Sequence, residues 1–326
     1  MIFLDPASLM IAACGALILD RVMGDPAWLI QRMGHPVIWI GNLIGWLDQH
    51  LNKQPKTRLQ GRIIGALTLF LIIIIVASTA VIFTIILATI PAGALITGVL
   101  ASILLCQRSL ARHVADVSSG LQHQLASGRA ALSHLVGRDV SQLDESEIAK
   151  GAVESLAENT ADGIIAPLFW FLIAGLPGIA IYKAINTADS MIGHHSPRHE
   201  HFGWAAARLD DLVNLPAARL TALLFVSAGY FCDARPKAAW RAVCRDANNH
   251  LSPNAGWPEA AMAGALGLRL GGPRSYAGQN VDLAFMGNGR STLNRQDIDR
   301  ALLLYQRALT LLTGTMITLG IIVLLD

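Results

Sequence analysis

Residues 63–106 read IIGALTLFLIIIIVASTAVIFTIILATIPAGALITGVLASILLC, without one Asp, Glu, Lys, Arg or His. A membrane helix needs roughly 20 apolar residues, so this run is long enough for two crossings. Pro91-Ala92-Gly93 is the natural turn between them, although it leaves the second helix short; a turn nearer Thr84 would divide the run differently. A second uncharged run, 308–325, is long enough for one more crossing. A shorter candidate covers 6–19. It lacks a basic start and is followed directly by Asp20-Arg21, so it does not read as a cleaved signal peptide.

The whole composition agrees with these runs. Hydrophobic residues make up 53% and charged residues 15%, against about 25% charged in a soluble domain. The mean hydropathy is +0.47. All 25 Lys and Arg fall in Arg21–Arg62, Arg108–Lys150, Lys183–Arg219 and Arg235–Arg307. Basic loops stay on the cytoplasmic side, which puts both termini and the Pro91 turn outside and every basic segment in the cytoplasm of a multi-pass cell (inner) membrane protein. A net charge of +2 gives no nucleic-acid signal. The cysteines Cys14, Cys106, Cys232 and Cys244 are too widely spaced to suggest a disulfide framework or a C-x-x-C metal pattern.

Two apolar stretches resist a simple reading. Residues 164–182 are interrupted by Gly175-Leu176-Pro177-Gly178, and Leu220–Cys232, within the stretch 215–232, is too short to cross comfortably. If both crossed, the basic segment Lys183–Arg219 would lie outside. Membrane-embedded segments, the first a broken or re-entrant hairpin, are the better reading, because irregular backbone is tolerated where it faces protein or a wet cavity. The expectation is therefore a mainly α polytopic membrane protein with roughly three to five transmembrane helices. It would form one domain over 1–326, with cytoplasmic helical and loop segments. Val37, Ile40, Ile44, Leu47 and Leu51 recur at helical spacing, as in a helix lying in the lipid interface. Arg108 to Leu135 reads as helical, and Asp144 with Glu147 forms a reciprocal helix cap. Residues 233–300, rich in Gly, Pro and Asn, read as loops joining short helices, with no strand pattern.

The densest polar signal is E-S-L-A-E-N-T-A-D-G at 154–163. Glu154, Glu158 and Asp162 are spaced four apart and share one face of a helix. Stacked carboxylates repel, and they are expensive beside a membrane-embedded stretch; a divalent cation or cationic substrate group would relieve them. A solvated acidic face would use the same residues. The second cluster, R-L-D-D-L-V-N at 208–214, offers Asp210, Asp211 and Asn214 as hard oxygen ligands suited to Mg²⁺, although Asp-Asp pairs are common in ordinary loops. Asn186, Asp189 and Ser190 form a third group that helix capping would explain equally well. Arg245 through Glu259, including His250 and Asn254, followed by Gly271-Gly272-Pro273, makes tight turns whose N–H groups can cradle an anion. His35 and Asp25 sit in compact turns, and the histidines of 194–201 read as a solvated loop. There is no P-loop, no G-x-G-x-x-G, no H-E-x-x-H and no G-x-S-x-G, so a nucleotide would need an unconventional site.

Taken in order, the motifs resemble one family closely. They are D-x-x-x-G-D-P…H-P-V at 20–37, V-G-R-D at 136–139, V-E-S-L-A-E-N-T-A-D-G-I-I-A-P-L at 153–168, Y-K-A-I-N-T-A-D-S-M at 182–191, F-G-W-A-A-A-R-L-D-D at 202–211 and S-P-N-A-G-W-P-E-A-A-M-A-G-A-L-G at 252–267. The chain is similar to the CobD/CbiB family of adenosylcobinamide-phosphate synthases in cobalamin biosynthesis, over residues 20–300. The resemblance implies ATP-driven amide formation between the free propionate carboxylate of adenosylcobyric acid and (R)-1-aminopropan-2-ol phosphate or a related amino alcohol. It implies catalytic roles for Glu154, Glu158, Asp162, Asp210 and Asp211, with Mg²⁺ on Asp210, Asp211, Glu158 and Asp162. Arg138, Arg208 and Arg245 become phosphate contacts. Asp25, His35, Asp139, Asn159, Asn186, Asp189 and Ser190 become further substrate-binding candidates, as do Asn214, His250, Asn254 and Glu259. Glu154 or His250 would take the proton from the attacking amine. Membrane lipid and other late corrinoid-pathway membrane enzymes are the expected partners.

Two departures stand out: Gly193-His194-His195-Ser-Pro where Tyr and Arg are expected after the glycine, and Leu215 where Tyr is expected. The first cautions against reading those histidines as a family metal site. The competing reading is a non-enzymatic membrane regulator of the AmpE kind. Such a protein would not need the carboxylates of 154–162 together with Arg208–Asp211. A transporter would carry charges inside its clearest spans, and these carry none.

Overall fold

The computed structural model describes residues 4–24, 32, 34–53, 57–137, 139–194, 196–276, 279–281 and 283–325. Asp25, Arg138 and His195 lie outside the described residues. The chain is a mainly α-helical, polytopic membrane protein. Among the described residues, five helical runs are long and apolar enough to cross a membrane: Arg58–Ala88, Gly93–His123, Glu145–Ile192, Trp204–Phe231 and Arg295–Leu325. The described chain divides into two compact units that alternate along the sequence, which is why no linker separates them. One comprises Met1–Cys106, Ala166–Asn214 and Met316–Asp326, and the other Gln107–Ile165 and Leu215–Thr315.

In the first unit, α1 (Pro6–Val22) is opened by Asp5, whose carboxylate accepts a hydrogen bond from the Ser8 N–H at 3.0 Å. It has 17 residues and is not among the five long runs. Helix α2 (Pro36–Leu51) starts where the apolar spacing begins and is capped by His35, whose Nδ1 accepts from the Val37 N–H at 3.2 Å. Helix α3 (Arg58–Ala88) and α4 (Gly93–Ser102) flank a turn at 89–92, so Pro91 does mark the reversal. Helix α8 (Ala166–Ile192) is two helices meeting at a kink. Ala174 leaves helical geometry and Gly175 adopts φ +62°, a conformation that glycine reaches without strain. The G-L-P-G break read from sequence is therefore real, and Pro177 follows it inside the second helix. Ile44, Leu47, Leu69, Ile72, Ala184, Ala188, Ile192, Phe202 and Ala206 form one buried core. The approach there is close: a Cβ on Gly65 of α3 would lie 1.8 Å from the Phe202 carbonyl oxygen.

Helix α9 (Trp204–Ala228) corrects the short-segment reading of Leu220–Cys232. It begins well before the apolar window, passes through Pro216 and continues as a 3₁₀ turn to Phe231. The polar run 208–214 lowers the local hydropathy without ending the helix, because Asp210 and Asn214 are buried with hydrogen-bonding partners.

In the second unit, α5 (Gln107–His123) and α6 (Leu125–Leu132) lie where Arg108–Leu135 reads as helical. Helix α7 (Glu145–Thr160) starts on the expected reciprocal cap. The Asp144 carboxylate accepts from the Glu147 N–H at 2.8 Å, and Glu147 accepts from the Asp144 N–H at 2.9 Å. From Gly151 to Ala157 every residue of α7 is buried, as in a helix enclosed on all sides. It passes into a π-helical turn, Ala161–Ile165. Helices α10 (Pro236–Asp246) and α11 (Gly256–Leu266) pack together, and α12 (Arg295–Leu325) closes the chain. The region read as strandless holds two small antiparallel ladders. One pairs β1 (Leu270–Gly271) with β4 (Phe285–Met286), and the other β2 (Arg274–Tyr276) with β3 (Gln279–Val281). They are two and three residues long, too short for alternation to show.

Candidate functional site

The polar motifs separate into one constellation in each unit. In the first unit, helical spacing puts Tyr182, Asn186 and Asp189 along one side of α8 and Asp210 and Asn214 one turn apart on α9. Asp210 is only 9% exposed. Its Oδ1 accepts from the Asn186 amide at 3.2 Å and its Oδ2 from the Asn214 amide at 3.0 Å. The Tyr182 hydroxyl donates to Asn214 Oδ1 at 2.9 Å. Both oxygens of a buried carboxylate are thus met by amide donors. Asp189 and Asp211 lie within electrostatic range of Asp210. Arg208 pairs with Asp211 at 3.0 Å. Ser190 bonds back to the Asn186 carbonyl at 2.9 Å, and His35 caps α2, so both have local structural work. The loop after α8 is pinned by Asp48. Arg198 donates to Asp48 Oδ2 at 2.8 Å, and His199 Nε2 lies 3.2 Å from Asp48 Oδ1. Burial alone would raise the Asp48 carboxyl, but the bonds from Asn52, Arg198 and His199 outweigh it and hold its pKa below the ordinary value.

In the second unit, Glu154 is 5% exposed, and its Oε1 accepts from the Gly271 N–H at 2.7 Å. Glu158, one turn on, is exposed at the end of α7. Asp162 falls in the π turn, so the even four-residue spacing does not continue as one α-helical face. Such single-turn π segments concentrate at functional sites. Asn159 bonds back to the Ser155 carbonyl at 2.8 Å. Asp139 holds a surface turn: its carboxylate accepts from the Ser141 N–H and hydroxyl at 2.9 and 3.0 Å, which lowers its pKa.

The S-P-N-A-G-W-P-E motif is held at its start by Arg219. This guanidinium lies 4.4 Å from the Trp257 ring centroid and donates to the Pro253 carbonyl at 3.1 Å and to Asn254 Oδ1 at 3.2 Å. His250 Nδ1 accepts from the Ser252 N–H at 3.0 Å, which leaves the proton of the neutral ring on Nε2, 3.9 Å from Glu259 Oε1. Arg245 forms a bidentate pair with Asp246 at 2.6 Å for both bonds, which raises its own pKa. Asp246 Oδ2 also accepts from the Gly287 N–H at 2.8 Å.

Four participants stand outside the predicted residues. Arg219 and Tyr182 appear beside or inside quoted motifs, yet only the fold shows what they bind. Asp246 had a signal in its adjacency to Arg245. Arg269, stacked 3.7 Å from the centroid of Phe285, had none. Among the described residues no three His, Cys, Asp or Glu converge to hold a metal ion. Both oxygens of Asp210 accept from side-chain amides.

A sequence profile of the CobD/CbiB protein family matches residues 13–305. A Sinorhizobium sp. protein named cobalamin biosynthesis protein CobD is 47% identical over 313 residues, 94% of this chain and 97% of the relative. The protein of that name from Rhizobium meliloti (strain 1021) is 46% identical over 91% of this chain and 93% of its own length. The one from Rhodobacter capsulatus is 46% identical over 98% of both. No solved structure matches the chain. With a profile match over most of its length and relatives this similar from end to end, the chain belongs to the CobD/CbiB family.

Proposed function

We propose that this protein acts in cobalamin biosynthesis as an adenosylcobinamide-phosphate synthase, a carbon–nitrogen ligase of the cell membrane. The observation that carries the reading is near-full-length similarity to proteins named cobalamin biosynthesis protein CobD, with the ordered motifs of that family in place. The substrates would be adenosylcobyric acid, (R)-1-aminopropan-2-ol phosphate or a related amino alcohol, and ATP, reached from the cytoplasmic side.

A carboxylate is a poor electrophile, so the step needs activation. The propionate oxygen would take the γ-phosphoryl group of ATP, giving an acyl phosphate and ADP. The amine would then attack the acyl carbon, the C–O bond would break, and inorganic phosphate would leave with the bonding pair. One proton must leave the ammonium before attack and one the nitrogen as the amide forms. Mg²⁺ would enter with the nucleotide phosphates, whose charge it screens, because the described side chains offer no cage for it.

Of the three carboxylates Glu154, Glu158 and Asp162, Glu158 is the exposed one and stands at the entry to the π turn, so it is the candidate for binding or deprotonating the amine. Glu154 and His250 suit this role less well. Glu154 is buried with an oxygen on Gly271, and the basic nitrogen of His250 already accepts from Ser252. Arg245, held rigid by Asp246, suits a phosphate contact. The test is to incubate purified protein with the three substrates and Mg²⁺ and to follow the corrinoid by mass. An amidated product supports the reading; its absence, with substrates shown to bind, overturns it.

A further inference from the structure

In the second unit, Arg245, Asp246, Arg269, Phe285, Gly287 and Asn288 line a cavity of about 340 Å³, inside the range of small-molecule sites of about 300–1,000 Å³. It is assembled from three short stretches between residues 245 and 288, and its walls are fixed by buried contacts. Asp246, 6% exposed, clamps Arg245 with both oxygens and fastens the Gly287 N–H at 2.8 Å. Gly271 is the cross-strand partner of Phe285, and its N–H is held by buried Glu154. A Cβ on Gly272 would lie 2.2 Å from Phe285 Cε1, so the ring occupies space that only glycine leaves open.

Three groups present surface to the cavity. The Arg269 guanidinium lies over Phe285 and has no carboxylate partner among the described residues. Phe285 itself is 37% exposed, and Asn288 presents a backbone N–H and an amide that bond to nothing described. A cation laid on an exposed aromatic ring makes a flat, positively charged platform on which a heteroaromatic base can stack. Arg245 and the Asn288 donors stand on the same cavity, where phosphate oxygens would find charge-assisted bonds.

We propose that this cavity is the nucleotide site of the enzyme, with the base of ATP on the Arg269–Phe285 stack and its phosphates toward Arg245 and Asn288. The proposal rests on the ATP-dependent reading above. The small, non-aromatic amino alcohol phosphate would leave the stack unused.

The experiment measures equilibrium binding of ATP, of inorganic tripolyphosphate and of aminopropanol phosphate to the full chain in detergent. It compares wild type with Arg269→Lys, which keeps the charge and loses the plane, and with Phe285→Leu, which keeps the apolar contact and loses the ring. A melting curve on each variant controls for folding. Loss of one stacked partner should weaken ATP binding about tenfold while leaving tripolyphosphate within about twofold, and Arg245→Gln should weaken both. ATP binding unchanged in folded Arg269→Lys and Phe285→Leu overturns the site while the synthase reading stands. Selective loss of aminopropanol phosphate binding overturns it in favour of the amine substrate. Wild type that binds no ATP at all removes the ATP-dependent reading and this site with it.

Discussion

Glu154 Oε1 and the Gly271 N–H meet at 2.7 Å, although 117 residues separate them in sequence. A carboxylate buried in a helix enclosed on all sides would be expensive without a donor, and the donor here is a backbone amide of β1. Removing the acceptor leaves that N–H buried and unpaired, a loss of about 1–3 kcal/mol. Glu154→Ala should therefore lower unfolding free energy in detergent by that amount. Glu154→Gln keeps an acceptor oxygen and should lose less. Equal losses in the two variants would contradict this role.

The Asp210 network makes a prediction about donors and acceptors. Asn186 and Asn214 both donate to Asp210. Asp210→Asn sets one amide donor against another and should destabilise by about 1–3 kcal/mol. Exchanging the pair as Asn186→Asp with Asp210→Asn restores a donor and an acceptor to each contact. A double-mutant cycle should then show recovery of about 1 kcal/mol or more beyond the sum of the single changes. Simple additivity would deny the network its mutual dependence.

Asp48 supplies a pH dependence whose sign follows from its lowered pKa. A depressed carboxyl binds its proton less readily folded than unfolded. Its contribution is therefore full above the ordinary carboxylate value of 3.8 and is lost as pH falls through the lower, folded value. Wild type should melt above Asp48→Asn at pH 6, by an amount reflecting about 1 kcal/mol or less for a surface cluster. The gap should close in the acid range below 3.8. A gap that widened on acidification would reverse the assignment.

The hydrogen bonds around His250 separate positioning from proton transfer. In a His250→Asn variant the side-chain amide oxygen could still accept from the Ser252 N–H, so turnover should stay within about tenfold of wild type. Removing a working general base, by contrast, costs about 10²–10⁴. Glu158→Gln is the change expected to incur that larger loss. The comparison is made by steady-state turnover at saturating substrates.

Much of the helical frame was legible in sequence because its signals are local. The Asp144–Glu147 cap, the apolar spacing along α2, the turn at Pro91 and the break at Gly175 each depend on residues a few positions apart. The start of α9 at Trp204 was not legible, since hydropathy falls across Asp210 and Asn214 while the helix continues. The candidate residues could be named from sequence, but not the contacts they make. Nothing near Glu154 announces that its partner is a glycine amide in β1, and nothing near Arg269 announces Phe285. The likeness of Glu154, Glu158 and Asp162 in sequence hides three environments: a buried acceptor, an exposed acid and a residue in a π turn.

Mass analysis of the corrinoid product decides whether the protein forms the amide. Purified protein given adenosylcobyric acid, aminopropanol phosphate, ATP and Mg²⁺ should yield adenosylcobinamide phosphate, with one ADP and one phosphate released per amide formed. Unchanged adenosylcobyric acid, recovered from protein shown to bind all three substrates, would contradict it.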